Sequence, residues 1–441
     1  MSDSQPILRD CKAGDLAPKM ARFGLVVGVL GLLLGVVLGY GVGGEEVREH
    51  FWFAYLASYS WLLTLVLGTL LFSILMHLFG AYWSVTVRRL AEITHAGLPL
   101  VLLLGLPLLY PLVSHEVTVW QWTEFSHDGA AAEAFEGGAL DDYAGGDEED
   151  YYEVLEKEEH HHLVSHKLSY LNVPFLLGRI VLYVVVWLFL SRFFFRKSLA
   201  QDDAPDFEPT RSLRRFSAPA VILWALTLTF FAFDFLMSLD ETWFSTMFGV
   251  YVFAGAFMAN FAWLIVVARF LQSRGKLVGL ITPEHYHDLG KLMFAFVCFW
   301  AYVGFSQFML IWYANMPEET HWFQNRLVPA WSNWSVALML GHFILPFVGI
   351  LSRHVKRNPT LLAAWAGFLL VMHFVDHYWI VVPNLTRGME SAGNPFGWMD
   401  LALVVGMAGM LVFATARRAA GLPLVPIGDP NLKKALAFEN A

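Results

Sequence analysis

Two histidines and an aspartate lie within five residues of one another in the motif His373-Phe-Val-Asp376-His377. Positions i, i+3 and i+4 share one face of a helix, so the motif would align two imidazoles and a carboxylate. Imidazole binds and releases protons near neutral pH, so one interpretation is a proton relay or a redox-linked polar site. The alternatives are a hydrogen-bonded packing network, or a metal or haem site. A metal would need a further ligand from another helix, which the sequence does not indicate.

Three more ionisable residues interrupt strongly apolar stretches, where a charged group is costly and therefore suggests function. Arg179 and Asp234 lie at similar depths near the ends of two successive stretches. They predict either a structural ion pair or a contact for a substrate or a proton. His342 lies in the middle of a later stretch, level with His373. Two such histidines on neighbouring helices could bind a b-type haem, although the recurrent histidine pairs of haem bundles are missing from the sequence.

Asp288 and Lys291 precede another apolar stretch, in the segment Glu284-His-Tyr-His-Asp-Leu-Gly-Lys291. They are candidate entrance groups for a proton path that begins on the opposite side of the membrane from Asp234 and Arg179. Charged and aromatic residues at such a boundary also act as interfacial anchors, so both interpretations stay open.

The stretches that carry these residues are long enough to cross a membrane. Of the 441 residues, 57% are hydrophobic and 15% are charged, whereas about a quarter of a soluble domain is charged. Ten apolar segments approach the roughly 20 residues that a helix needs to span hydrocarbon. The sequence therefore predicts an all-α polytopic membrane protein. The predicted spans are 21–42, 53–79, 93–113, 173–195, 216–238, 245–271, 290–314, 328–351, 359–382 and 398–418.

The distribution of lysine and arginine predicts the orientation of these spans. Basic segments hold 23 of the 29 Lys and Arg residues and alternate with loops that are poor in them. This alternation predicts that both termini are cytoplasmic. The first span has no clear cleavage site, so we do not expect it to be a removed signal peptide. The predicted divisions are a cytoplasmic segment (1–20), helices 1 to 3 (21–113), an outer acidic insert (114–172), helices 4 to 10 (173–418) and a cytoplasmic tail (419–441).

Within the outer insert, residues 126–159 contain thirteen Asp or Glu residues and one Lys. This composition is typical of a flexible, solvated segment. His160, His161, His162 and His166 follow it. We interpret the region as a polar stalk, with metal binding or docking of a cationic partner as the alternatives.

The cysteines give little scope for redox chemistry. Cys11 and Cys298 are predicted to lie in different compartments, which argues against a disulfide. The sequence has neither the C-x-x-C-H motif of covalently attached haem nor a cysteine cluster for iron–sulfur ligation. We therefore expect no redox metal on this chain.

Two long blocks of sequence carry a resemblance. One runs from Phe233 to Tyr251 and begins Phe-Asp-Phe-Leu-Met-Ser-Leu-Asp-Glu-Thr-Trp. The other runs from His287 to Thr320, begins His-Asp-Leu-Gly-Lys-Leu-Met-Phe-Ala-Phe and ends Ile-Trp-Tyr-Ala-Asn-Met-Pro-Glu-Glu-Thr. Both resemble the NrfD-like family, the membrane subunits of the polysulfide reductase type. The likeness covers nearly all the spans and is greatest to the second of two such subunits in bacterial alternative complex III.

The resemblance implies two four-helix bundles with flanking helices, and a place in a respiratory quinol:electron-acceptor oxidoreductase of the bacterial inner membrane. The implied partners are membrane lipids, an NrfD-like sister subunit, an iron–sulfur subunit and multihaem cytochrome c subunits. A terminal oxidase is a further partner in some of these assemblies, and no nucleic acid is expected. The second paralogue is implied to be non-catalytic and to support the quinol-oxidising sister. It is also a candidate for a proton path or for a residual pocket for menaquinone or another quinone.

Two other classes of function stay open. An autonomous secondary transporter would have discontinuous helices around a site near the membrane midplane. Pro99, Pro107 and Pro346 fall within predicted spans and give this class some support. The other class is a haem-b-binding membrane subunit of a quinol oxidase. Purification distinguishes these classes, because a transporter isolates alone whereas a complex subunit brings multihaem and iron–sulfur partners.

Overall fold

The computed structural model describes residues 11–42, 44–114, 116–123, 166–203, 206–386 and 395–439. Ten helices within them are long and apolar enough to cross a membrane, which confirms the predicted all-α polytopic fold. Residues 124–165 of the acidic insert, with His160, His161 and His162, lie outside the described residues, so the interpretation of this region stays a prediction. The helices are α1 Leu16–Val42, α2 Glu45–Phe79, α3 Tyr82–Val113, α4 Val173–Asp203, α5 Phe207–Leu239, α6 Phe248–Ser273, α7 Pro283–Ala314, α8 Pro329–Leu351, α9 Pro359–Asn384 and α10 Trp398–Ala419.

Eight of these helices form the two predicted four-helix bundles. The first contains α2 to α5 and the second α6 to α9, and they meet where α2 packs against α6 and α9. Most of α2 and of α6 is buried, because each packs against helices of both bundles. We call the side on which residues 114–172 join α3 to α4 the insert face. The opposite side, on which α1 begins and α10 ends, is the termini face.

The remaining helices, α1 and α10, pack closely against each other through glycines. A Cβ on Gly409 would lie 2.4 Å from the amide nitrogen of Gly28, and one on Gly31 would lie 2.7 Å from the Cα of Gly406. Only glycine permits two helix backbones to approach this closely, as in the small-residue interfaces of membrane helices. The glycine-rich sequence of the first span therefore serves as a packing surface.

A buried ionic network holds the termini face together. Arg88 and Arg89 both pair with Glu92 at 3.1 Å. Arg89 also reaches Asp202 at the end of α4 at 2.8 Å, and Arg88 reaches Asp429 at 2.6 Å. The segment that the sequence suggested was a simple cytoplasmic tail is therefore docked on the helices, at least over its described residues up to position 439.

Several helices depart from regular α-helical geometry, among them α1, which has a π-helical segment at Val37–Val42, and the helices α3 and α8. α3 tightens into a 3₁₀ turn at Leu106–Leu108, which contains Pro107, and α8 widens into a π-helical segment at Met339–Ile344, just before Pro346. Proline has no amide hydrogen and therefore interrupts the hydrogen-bond ladder of a helix. π-Helical segments occur often at functional sites, and this one contains His342.

Candidate functional site

α9 supplies three of the candidate residues. The helix begins at Pro359 after Asn358, whose side chain accepts two backbone amide hydrogen bonds at 3.1 Å. An asparagine cap followed by proline in the first turn is a strong signal for a helix start. His373, Asp376 and His377 lie in the half of α9 nearer the insert face, and each is at most 2% exposed.

Asp376 is held by neutral groups on both carboxylate oxygens. The hydroxyl of Tyr251 on α6 donates to Oδ1, and the indole Nε1 of Trp300 on α7 donates to Oδ2 at 3.1 Å. Among the described residues, no lysine or arginine pairs with this carboxylate. Breaking an ion pair in a buried site is costly. Asp376 can gain or lose a proton without breaking any ion pair among the described residues.

A second row of hydrogen bonds connects α9 with α2. His373 Nε2 and His377 Nε2 lie 3.2 Å and 3.0 Å from the hydroxyl oxygen of Thr64. Since the Thr64 hydroxyl donates to the Ser60 carbonyl at 2.7 Å, both imidazoles donate to the Thr64 oxygen. The Ser60 hydroxyl lies 3.1 Å from His377 Nδ1 and 3.0 Å from the Ala57 carbonyl. It can donate to neutral His377, or to the carbonyl when His377 is charged, so both protonation states of His377 are hydrogen-bonded.

Gly255 on α6 leaves a small space between the Asp376 carboxylate and the His373 ring. A Cβ at this position would lie 3.3 Å from His373 Nδ1 and 3.6 Å from Asp376 Oδ2. These two atoms are therefore at most about 7 Å apart, across the space that the glycine leaves open. His373 Nδ1 has no hydrogen-bond partner among the described residues.

His342 lies beside the same cluster, in the π-helical segment of α8. Its ring packs on the indole of Trp300 with 4.0 Å between the ring centroids. It is fully buried, and neither ring nitrogen has a hydrogen-bond partner among the described residues. A neutral imidazole always carries one N–H, and leaving such a donor buried and unsatisfied costs about 1–3 kcal/mol. Buried polar groups of this kind are a recognised mark of functional sites.

A cleft of about 390 Å³ opens next to Tyr251 and Trp300 in the second bundle. Its wall is mainly aromatic and aliphatic, with Gln307 and Arg326 among its polar residues. The Arg326 guanidinium lies 3.4 Å from the ring centre of Trp322 and donates to three backbone carbonyls at 2.7–3.1 Å. Tyr251 and Trp300 therefore contact both the cleft and the Asp376 carboxylate.

Arg179 and Asp234 are brought together in the first bundle. The guanidinium binds both carboxylate oxygens, with Nε 2.9 Å from Oδ2 and Nη2 3.0 Å from Oδ1. The hydroxyls of Tyr170 and Tyr183 also donate to Asp234, at 2.9 Å and 2.6 Å. Burial, followed by the negative charge of Asp234, raises the pKa of the Tyr170 phenol, which therefore stays protonated as a donor. This geometry is that of a closed structural ion pair.

Asp288 and Lys291 lie apart from both clusters, near the termini face. They form an ion pair with 2.5 Å between Lys291 Nζ and Asp288 Oδ1, and the Lys291 side chain is 49% exposed. Lys291 and Trp300 are nine positions apart on α7, a rise of about 14 Å. The fully buried positions of α7 between them include Met293 and Val297, which are apolar. The buried side chains of Met293 and Val297 therefore provide no polar connection along α7 from Asp288 and Lys291 to the Asp376 cluster.

The groups that hold the cluster were not identified from the sequence. Tyr251 and Trp300 could have been found, since each lies in one of the two blocks that carry the family resemblance. Ser60 and Thr64 left a weaker signal, because they are only two of several hydroxyl residues in their span, which also contains Ser58, Thr69 and Ser73. Within the described part of the chain, no group of three or more His, Cys, Asp or Glu side chains is arranged to hold a metal ion.

No protein-family model matches this sequence, and no curated protein is significantly similar to it.

Proposed function

We propose that this chain is an integral membrane subunit of a respiratory quinol:electron-acceptor oxidoreductase of the alternative complex III type, and that its own chemistry is proton exchange at Asp376. In this proposal it supports a quinol-oxidising NrfD-like sister subunit. Electrons pass through iron–sulfur clusters and c-type haems on partner subunits to a cytochrome c or a terminal oxidase. The complex lies in the bacterial inner membrane, with both termini of this chain in the cytoplasm.

The main support for the proposal is that both side chains that donate to Asp376 come from the two blocks of sequence that resemble the NrfD-like family. Tyr251 ends the first family-like block, 233–251, and Trp300 lies within the second, 287–320. The most distinctive sequences of the chain thus converge on one buried carboxylate. The arrangement of eight helices in two four-helix bundles supports the same family.

The chemistry of the cluster suits proton exchange. Asp376, His373 and His377 can each change protonation, and the hydroxyls of Thr64 and Ser60 connect the two imidazoles by hydrogen bonds. A relay needs groups that are hydrogen-bonded in both protonation states, and the alternative acceptors of the Ser60 hydroxyl provide this at His377. His342 extends the cluster through its contact with Trp300.

The adjoining cleft supports a place for menaquinone or another quinone in this proposal. An aromatic wall with a few polar groups is typical of sites for flat, mostly apolar ligands. A quinone ring there would lie beside Tyr251, whose hydroxyl binds Asp376. Tyr251 would then position the carboxylate relative to the ring.

Asp376→Asn in the assembled complex tests the proposal. The amide keeps the shape of the carboxyl but does not exchange protons, so we expect a lower quinol oxidation rate or a lower proton-to-electron ratio in liposomes. Asp400→Asn is the matched control, because Asp400 is also fully buried but caps α10 through the Gly397 amide at 2.8 Å. An assembled Asp376→Asn complex with unchanged turnover and unchanged ratio would remove Asp376 from any relay, and lost assembly would favour a packing role.

An autonomous transporter is the second candidate, because α3 and α8 are irregular near Pro107 and Pro346. Broken helices in the two halves of a protein are typical of transporter sites. Mild detergent extraction followed by mass spectrometry distinguishes the candidates. Co-purification of multihaem and iron–sulfur proteins supports the respiratory proposal, whereas isolation of the chain alone, with no loss of stability, supports a transporter.

A further inference from the structure

The membrane-facing side of α4 changes character near the termini face. Val181, Val185 and Phe189 are more than half exposed, as expected for side chains that contact lipid. At the next positions on the same stripe, three and seven residues after Phe189, stand Arg192 and Arg196, which are also exposed. The apolar stripe of α4 thus ends in two arginines, at the depth where the hydrocarbon ends and lipid headgroups begin.

These arginines line a groove of about 500 Å³ between α3, α4 and α10. Arg418 of α10 completes a set of three guanidinium groups around it. The rest of the wall is largely apolar and includes Leu188 and Phe195. The groove therefore combines a cationic rim with an apolar wall that continues into the lipid-facing stripe of α4.

The three arginines differ from the other arginines of the termini face in their partners. Arg88 and Arg89, in the neighbouring part of α3, are neutralised by buried carboxylates. By contrast, no carboxylate among the described residues pairs with Arg192, Arg196 or Arg418. Like charges one helical turn apart repel each other, and an anion in the groove would relieve that repulsion.

We propose that this groove binds an anionic phospholipid, with its phosphate between the guanidinium groups of Arg192, Arg196 and Arg418 and one acyl chain along Leu188 and Phe189. Arginine is well suited to this task because its planar fork makes paired hydrogen bonds to phosphate oxygens. Basic pockets between membrane helices are a known form of site for anionic lipid headgroups. A lipid, rather than free phosphate, fits because the groove is continuous with the apolar stripe. The inference is independent of quinol chemistry.

Native mass spectrometry of the full chain in its native assembly tests the proposal with phosphatidylglycerol and phosphatidylcholine as probes. The test variant is R192Q/R196Q/R418Q. The matched control is R211Q/R214Q/R215Q, which removes three exposed arginines from the start of α5 on the same face. A surface arginine contributes about fivefold to the binding of an anionic lipid, so the test variant should lose on the order of 100-fold in affinity for phosphatidylglycerol.

We expect the wild type and the control variant to prefer phosphatidylglycerol over phosphatidylcholine, and the test variant to lose that preference. Glycerol phosphate, the free headgroup, should compete weakly because it lacks the acyl chain. Equal affinity of the test and control variants for phosphatidylglycerol would overturn the proposal, as would competition by glycerol phosphate as strong as by the lipid. If the triple variant fails to fold, Arg418→Gln alone should still lose about fivefold, and an unchanged affinity would be equally decisive against the site.

Discussion

Tyr251→Phe removes one of the two donors that the described residues give to the Asp376 carboxylate. The substitution deletes a single oxygen atom and keeps the aromatic ring, which packs on Trp300 with 5.5 Å between centroids. The change is therefore confined to a hydrogen bond and leaves the helix packing intact.

A hydrogen bond to a charged group contributes about 1.5–3 kcal/mol. At about 1.4 kcal/mol for each factor of ten in rate, its loss corresponds to about 10- to 150-fold. We expect proton transfer through Asp376 to slow by a factor in this range, because the buried carboxylate keeps Trp300 but loses its tyrosine donor.

Tyr183→Phe is the matched control in the other bundle. It removes the same kind of contact, a tyrosine hydroxyl 2.6 Å from a carboxylate oxygen of Asp234. Arg179 and Tyr170 still bind that carboxylate. We therefore expect a loss of stability of about 1.5–3 kcal/mol, with turnover within about twofold of wild type, because the proposed proton exchange does not use Asp234.

Both variants are measured as assembled complexes in liposomes, by the rate of quinol oxidation and by proton release with a pH-sensitive dye. A slow Tyr251→Phe complex beside a fast Tyr183→Phe complex is the expected result. Assembled complexes with the same turnover and the same proton-to-electron ratio would refute the reasoning, because the two tyrosines would then be equivalent packing residues.

Three further substitutions test the site, the contact between α1 and α10, and the ionic network of the termini face. Gly255→Ala adds a methyl group 3.2 Å from the His373 ring, so proton transfer should slow while assembly is kept; wild-type proton release would contradict this. Gly409→Ala places a carbon 2.4 Å from the α1 backbone and should cost about 1–3 kcal/mol, seen as a lower thermal midpoint in detergent. Gly367→Ala, which meets no atom within 4 Å, is its control, and equal midpoints would count against close packing. Arg88→Met leaves the buried Asp429 carboxylate without its arginine partner, at a cost of about 3–5 kcal/mol, and should expose the C-terminal segment to protease; unchanged proteolysis would disprove the docking role of Arg88.

The spans and the α9 stripe could be predicted from the sequence because both depend on neighbouring residues. Hydropathy over one span reflects what a single helix buries in lipid. The spacing of His373, Asp376 and His377 determines their shared helix face whatever else packs nearby. The same local reasoning suggested that Arg179 and Asp234 form a pair, since they lie at similar depths on successive helices, and the structure shows that pair.

The partners of Asp376 could not be predicted because they come from distant parts of the chain. Tyr251 and Trp300 lie 125 and 76 residues away from it in sequence. Arg88 and Asp429 are 341 residues apart, so the C-terminal segment looked like an ordinary polar tail. Which helix faces meet depends on the packing of the whole bundle, and periodicity within one helix carries no information about that.

The two bundles differ in how each holds a buried aspartate on its last helix, Asp234 on α5 and Asp376 on α9. Protonation of Asp234 would leave the Arg179 guanidinium without its bidentate partner, and breaking a buried ion pair costs about 3–5 kcal/mol. Protonation of Asp376 breaks no ion pair among the described residues, because tyrosine and tryptophan hold it instead. The partner groups, rather than the aspartates themselves, therefore distinguish the two sites, and this difference is the reason that the proposed proton exchange is assigned to the second bundle.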